Sequence, residues 1–260
     1  MSIRKSSKTK ISIRINAIKA PEAHTTLWAI ERLVRLNRIR LEVKVDLQVD
    51  VPIGAGYGTS AAGTAASCLA VADAAQLPVT FNEIGRLTHA SEVVNQTGLG
   101  TASAILVGGF VLVTEPGAPG IGEVDRLRFP RNHSIICAYL NAIPTKSMLS
   151  SRDVERQVNP AARTALASIR RNPCLETFLS EAGRFSRKAG FQSKATSRIM
   201  EIMIANGAVG AAQNMVGEAV HGVARNPSIG RITEEVTKEF PAANIFVSEL
   251  DICGVRLVEN

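Results

Sequence analysis

The stretch VPIGAGYGTSAAGTAA, Val51–Ala66, decides how the first half of the chain is read. Glycines stand at the alternate positions Gly54, Gly56 and Gly58, the hydroxyls of Thr59 and Ser60 follow, and alanine then dominates. Ahead of it Leu41, Val43, Val45, Leu47 and Val49 alternate with polar residues, which predicts an amphipathic strand over 41–49. Behind it residues 60–75 hold eight alanines and no proline, which predicts a helix of small bulk, able to pack close to a sheet or a ligand. Strand, glycine turn and helix together make an anion site in physical terms. Glycines let backbone N–H groups approach oxygen, and the helix N-terminus adds about half a positive charge. A hydroxyl there can also reach a magnesium ion between phosphates. The same residues suit a tight turn that feeds a close-packed helix, and alone they leave both readings open. Two familiar loops are excluded: the dinucleotide fingerprint needs glycine where Thr59 stands, and the Walker loop needs a lysine that this stretch lacks.

Composition narrows the classes. With 260 residues, 45% apolar and 20% charged, the chain suits one large or two smaller globular domains. The net charge is +7, yet residues 1–40 carry ten Lys/Arg against Glu22 and Glu31, so the excess lies in the N-terminal segment. That distribution reads as a solvated basic arm and a basic helix face, and with 4% aromatics it argues against nucleic acid as a partner. Cys68, Cys137, Cys174 and Cys253 have no metal-type spacing, and Cys68 reads as core. No apolar signal region follows the basic start and no run is long enough for a membrane span, so a reduced, cytoplasmic protein is expected.

Along the chain, Ile11, Ile13 and Ile15 mark a strand, and a helix follows from Pro21 to about Asn37. Thr80-Phe-Asn-Glu83 has the form of a capping box opening a helix to about Gln96. On that helix Gly85, His89, Glu92 and Gln96 fall on one polar side, with Ile84, Leu87, Ser91 and Val94 towards another. A turn is expected at 97–100, a strand or helix end plus strand over 104–113, and a rigid loop over Pro116–Gly122. A strand at 134–142 precedes helices at 145–157, 160–171, 174–189 and 193–206. Residues 207–212 are small and glycine-bearing, with helix continuing to about Ala224. A strand pair, 244–248 and 255–258, closes the chain. The mixture is α+β, with a boundary near Phe129-Pro130 giving domains at 1–130 and 131–260.

Pro52-x-x-x-Gly56-Tyr57-Gly58-Thr59-Ser60-Ala61-Ala62 resembles the nucleotide loop of the GHMP kinase superfamily, P-x-x-x-G-[LF]-G-S-S-A. Ala90-Ser-Glu92, the glycine turn Thr97–Gly100 and the pair Gly108-Gly109 are similar to that superfamily's next segment. Over roughly 40–260 the chain looks like the archaeal pantoate kinase family, most specifically at Gly98-Leu99-Gly100 and Pro116–Gly122.

The resemblance implies a two-domain GHMP kinase architecture with mixed sheets, packed helices and a nucleotide cleft between domains. It implies ATP-dependent phosphorylation of (R)-pantoate in archaeal coenzyme A biosynthesis, with ATP and Mg²⁺ as cofactors and a homodimer as a candidate assembly. Another acceptor such as homoserine or a mevalonate-like hydroxy acid, or a non-catalytic nucleotide or nucleic-acid binder, are its rivals. Pro52, Gly54, Ala55, Gly56, Tyr57, Gly58, Thr59, Ser60, Ala61 and Ala62 would cradle phosphate, and Ser60 and Glu92 would hold the metal. Thr101 stands where many members carry an aspartate base, seven residues before the Gly-Gly pair, and cannot act as one. Thr101 and Lys146 complete the catalytic candidates, with Arg152 weaker and His89 a conceivable helper. Gly207-Ala-Val-Gly210 would be a weakened C-terminal glycine loop. The superfamily's first, Pro-Gly motif has no counterpart, so the chain is expected to be N-terminally shortened, lacking the first strands and leaving an unpaired sheet edge.

Overall fold

The computed structural model describes residues 1–98, 100–142, 152–215 and 217–258, the side chains of 152–155 excepted. The chain divides into two compact units. One comprises Met1–Val51, Gly58–Arg126 and Ile252–Asn260, the other Pro52–Tyr57 and Leu127–Asp251.

The first unit is a sheet backed by helices. Its strands β1 (Ser2–Lys5), β2 (Lys10–Ile15), β3 (Ile18–Lys19) and β4 (Leu41–Leu47) lie in the order β1-β4-β2-β3. β2 and β4 are parallel, so the chain must cross over between them, and helix α1 (His24–Leu36) makes that crossover. The alternation read in 41–47 is real: Leu41, Val43 and Val45 are buried against α1, α2 (Thr59–Ala74) and α3 (Phe81–Asn95). Cys68 and Val71 of α2 complete this core, and Thr26 and Thr64 satisfy each other's buried hydroxyls at 3.0 Å. On the open face Arg4 pairs with Glu42 and Arg14 with Asp46, and these guanidinium hydrogen bonds hold both carboxyls below their usual range. The expected basic arm is thus largely strand, with part of its charge in cross-strand pairs.

The capping box at Thr80 and Glu83 is present in both directions, with Glu83 N–H donating to Thr80 Oγ1 at 3.2 Å and Thr80 N–H to Glu83 Oε2 at 2.6 Å. After α3 come α4 (Thr101–Val107) and the two-stranded sheet of β5 (Phe110–Glu115) and β6 (Glu123–Leu127), the latter unforeseen because EVDRL is short and mostly polar. Their connection, Pro116–Gly122, is a rigid loop docked on α3. A side-chain carbon on Gly85 would fall 2.6 Å from Pro119 Cγ, and Arg86 Nε donates to the Pro119 carbonyl at 3.2 Å.

The second unit holds the antiparallel sheet β10-β7-β9-β8, built from β7 (His133–Asn141), β8 (Ala208–Gln213), β9 (Glu218–Arg225) and β10 (Asn244–Ser248). Helices α5 (Arg152–Arg171), α6 (Leu175–Lys188), α7 (Lys194–Ala205) and α8 (Ile229–Glu239) accompany it. Ile136, Ala138, Val220 and Ala224 of the sheet pack on Ile199 and Met203 of α7 and Ile232 and Val236 of α8.

Four expectations are corrected here. The helices expected at 145–157 and 160–171 are, over the described residues, one helix, α5, with Pro160 inside it. Residues 208–213 and 218–225 form the antiparallel pair β8 and β9 instead of a helix, because alanine, glycine and valine here fill both faces of a buried sheet and hide the two-residue period. Helix α8, packed through Ile232 and Val236, was not foreseen. Residues 255–258 are not a strand; β10 pairs with β7, and Val255 N–H donates to the Ile105 carbonyl at 3.0 Å. Among the described residues no helix is long and apolar enough to cross a membrane.

Candidate active site

The residues singled out in sequence fall into two groups, one in each unit, joined through the chain at Tyr57–Gly58. In the first unit α2 starts at Gly58, which adopts φ +70°, ψ +20°, and no side chain caps the helix. The amides of its first turn are therefore left for an external acceptor. Glycine is required at this point: a Cβ on Gly58 would lie 2.6 Å from Thr101 Cγ2. Thr101, the first residue of α4, thus buttresses the head of α2 with its methyl group.

Ser60 Oγ donates to Thr97 Oγ1 at 3.3 Å, and Thr97 Oγ1 lies 3.2 Å from Thr25 Oγ1. Thr97 N–H in turn donates to the Glu92 carbonyl at 3.0 Å, tying the turn after α3 to the helix. Glu92 is only 2% exposed, and its Oε2 has no hydrogen-bond partner among the described residues. A Cβ on Gly98 would fall 2.8 Å from Glu92 Oε1, so glycine there makes room for the carboxylate. Burial pushes the Glu92 carboxyl up to about 7. Ser60 and Glu92 are thus brought to the two sides of one turn, Thr97–Gly98. The helix side expected for Glu92 is corrected: it shares the buried side of α3 with Ile84, Gly85, Thr88 and Ser91, while Val94 is 59% exposed. No hydrogen bond ties His89 to this turn among the described residues.

The Gly108-Gly109 pair has a different employment. A Cβ on Gly108 would lie 2.1 Å from the backbone N of Gly254, so the glycine admits the C-terminal segment against α4.

In the second unit Pro52–Tyr57 rests on the β8–β9 turn. Gly56, at φ +81°, lies so close to Asn214 that a Cβ would be 2.2 Å from its carbonyl oxygen. A Cβ on Gly217 would come 3.2 Å from Ala55 Cα, and Ala55 is fully buried. Tyr57 stacks at 5.5 Å on Phe246, and its buried hydroxyl has no partner of hydrogen-bonding geometry among the described residues. Burial, with Cys137 close by, raises its pKa strongly. Asn214 and Gly217 are the residues of this turn that approach the loop; Gly207 lies just before β8 and Gly210 within it. Thr145 and Lys146 lie outside the described residues, as does the side chain of Arg152. Two clefts of about 450 and 720 Å³, around Arg171–Asn172 and around Arg128–Arg131, include neither the glycine loop nor Glu92.

The residues present fit a divalent cation. A buried carboxylate oxygen with no partner among the described residues and a hydroxyl across the same turn are hard-oxygen donors of the kind such an ion takes, and the helix start beside the hydroxyl is uncapped. Residues 24–109 match the family described as GHMP kinases N terminal domain, and the fold is that of a solved structure described below. Among individual proteins, the chain is 32% identical over 173 residues to the pantoate kinase of Thermococcus kodakarensis, covering 66% of this chain and 56% of that one. It is 28% identical over 205 residues to the pantoate kinase of Methanospirillum hungatei, covering 79% and 65%. A solved structure described as a phosphotransferase related to the CoA biosynthesis pathway superposes with a TM-score of 0.84 at 24% identity, over 98% of this chain and 83% of that one. The chain spans less than two thirds of the length of these curated relatives.

Proposed function

We propose that the chain catalyses ATP-dependent phosphorylation of a hydroxyl on a small carboxylated acceptor, (R)-pantoate, giving 4-phosphopantoate on a route to coenzyme A. The observation that carries this reading is the buried Glu92 carboxylate, one oxygen of which has no hydrogen-bond partner among the described residues, across the Thr97–Gly98 turn from Ser60 on the uncapped first turn of α2. The similarity to two archaeal pantoate kinases supports pantoate as the acceptor.

In this mechanism the amides of residues 54–60 receive the ATP phosphates. Ser60 and Glu92 would hold Mg²⁺, which when bound neutralises charge on the phosphate oxygens. Thr97 fixes the Ser60 hydroxyl, and Thr101 holds Gly58 in the conformation that starts the helix. Phosphoryl transfer is mostly positioning and charge neutralisation, so the lack of an aspartate at Thr101 does not prevent it. Lys146 is assigned the balancing of negative charge at the acceptor side. We place the reaction in the reducing cytoplasm, consistent with the buried thiols of Cys68 and Cys137.

The test is a panel of pantoate, homoserine and mevalonate with ATP and Mg²⁺, followed by ADP release and product mass. Turnover with pantoate and little with the others is expected. Turnover with homoserine or mevalonate alone would move the chain to another acceptor, and turnover with none would sink the kinase reading. Salt-sensitive nucleic-acid binding that survives Ser60→Ala and Glu92→Ala would favour a non-catalytic binder.

A further inference from the structure

Asn214 is tied at three points. Its backbone N–H donates to the Ala219 carbonyl at 2.9 Å, its carbonyl oxygen lies against Gly56, and its Oδ1 accepts from His221 Nδ1 at 2.5 Å. The neighbouring Gln213 stiffens the same turn, donating to the Phe191 and Gly217 carbonyls and accepting from Thr196. His221 sits in the middle of β9, opposite Cys137 of β7 and Ala212 of β8, where the sheet gives it little freedom. Directly opposed residues of an antiparallel pair share a face, so His221 and Cys137 lie together, with Tyr57 against Cys137 and Asn214. An apolar residue would fill this half-buried strand position without the cost of desolvating an imidazole. Burial lowers the His221 pKa to about 4, so the ring is neutral near pH 7, with Nδ1–H free to serve as a donor. Its side chain hydrogen-bonds to Asn214, the residue that lies against Gly56.

We infer that His221 is a positioning residue for the nucleotide loop: through its Nδ1–H it fixes Asn214, whose carbonyl sets the place of Gly56 and with it the direction of the loop amides. This inference rests on the kinase reading, since the loop is taken to receive the phosphates of ATP. It has a signature that plain structural support lacks. Loss of the donor should weaken MgATP and leave the acceptor alone.

The experiment compares His221→Leu, His221→Asn and His221→Gln in the full chain. The side-chain amide of asparagine can place an N–H where Nδ1 was, whereas that of glutamine reaches towards the Nε2 position. A neutral hydrogen bond of this kind is worth roughly a five- to tenfold change in an equilibrium constant. The KM for MgATP is therefore expected to rise about five- to tenfold in the Leu and Gln variants and less than twofold in the Asn variant, with the pantoate KM within about twofold throughout. Should the Leu variant not fold, the Asn and Gln pair decides. Equal MgATP KM values in those two, or a parallel rise in both substrates' KM, overturns the inference. Wild-type protein serves to separate the two levels. If it binds MgATP by calorimetry without phosphorylating any acceptor, the kinase reading fails, and the variants' MgATP affinities still test His221 by the same ratios. If it binds no MgATP, both fail.

Discussion

Glu92→Gln gives the sharpest test of the buried carboxylate. The group is 2% exposed, one of its oxygens lacks a partner among the described residues, and burial moves its pKa from an ordinary 4.5 to about 7. Below about pH 4.5 the carboxyl is protonated whether the chain is folded or not, and its burial carries no charge penalty. Between 4.5 and 7 the unfolded chain has released the proton that the folded chain still holds, so stability falls as pH rises. Above 7 the folded protein must bury the bare charge, and the whole penalty is present. A shift of this size corresponds to about 3 kcal/mol at most. Glutamine keeps the shape and removes the titration. Its unpaired amide has its own cost, but that cost does not vary with pH. Measured by thermal melting in chelated, metal-free buffer, Glu92→Gln should therefore gain on wild type by up to about 3 kcal/mol between pH 4.5 and pH 8, a relative rise in Tm on the order of 5 °C or more. Adding Mg²⁺ and ATP at pH 8 should raise the wild-type Tm and leave that of the variant nearly unchanged. Parallel Tm–pH curves for the two proteins would refute the reasoning, because they would mean that Glu92 is either solvated or already compensated.

Three further perturbations follow from the same geometry. Thr97→Val removes the hydroxyl that holds Ser60 and should lower kcat about 10–100-fold with little change in melting, as for other supports of a metal ligand; a wild-type rate would dismiss it. Gly56→Ala forces a Cβ to 2.2 Å from the Asn214 carbonyl at φ +81°, and should cost at least about 1–3 kcal/mol by melting. Gly230→Ala, where a Cβ meets open space within α8, is its control and should be neutral or stabilising by up to about 1 kcal/mol; equal effects at the two sites would refute the contact. Tyr57→Phe deletes a buried hydroxyl without a partner of hydrogen-bonding geometry among the described residues and should leave stability unchanged or raise it by about 1 kcal/mol, whereas a clear loss on melting would show that the hydroxyl is bonded after all.

What was legible in the sequence is what local chemistry decides. The capping box needs only Thr80 and Glu83, and it forms as read. The alternation of Leu41, Val43 and Val45 needs only one buried face, and that face is buried. The hairpin at 208–225 was illegible because its small residues are buried on both sides, so neither a two-residue nor a helical period stands out. Asn214 and Gly217 were lost with it, although an Asn-x-x-Gly spacing between two apolar runs is a turn signal that could have found them. Pro160 read as a helix boundary because it lacks an N–H; α5 nevertheless continues through it, with Thr164 Oγ1 donating to its carbonyl at 3.0 Å. Glu92 was singled out by the resemblance of its helix and glycine turn to the superfamily's segment, and its side of α3 was misjudged. A lone carboxylate looks solvent-facing in any helical pattern, and only Gly98 makes the room that buries it.

The contact between Gly108 and Gly254 has a consequence for how the polypeptide is made. The first unit takes in Ile252–Asn260, which is synthesised only after the second unit, although the rest of the first unit is made by Arg126. At ordinary elongation rates the intervening residues take on the order of ten seconds to synthesise. During that interval Gly108 has no partner, and the groups at Ile105 and Leu106 that meet Gly254 and Val255 stay open to chaperones or to a second nascent copy. The first unit is therefore begun before the second and finished after it.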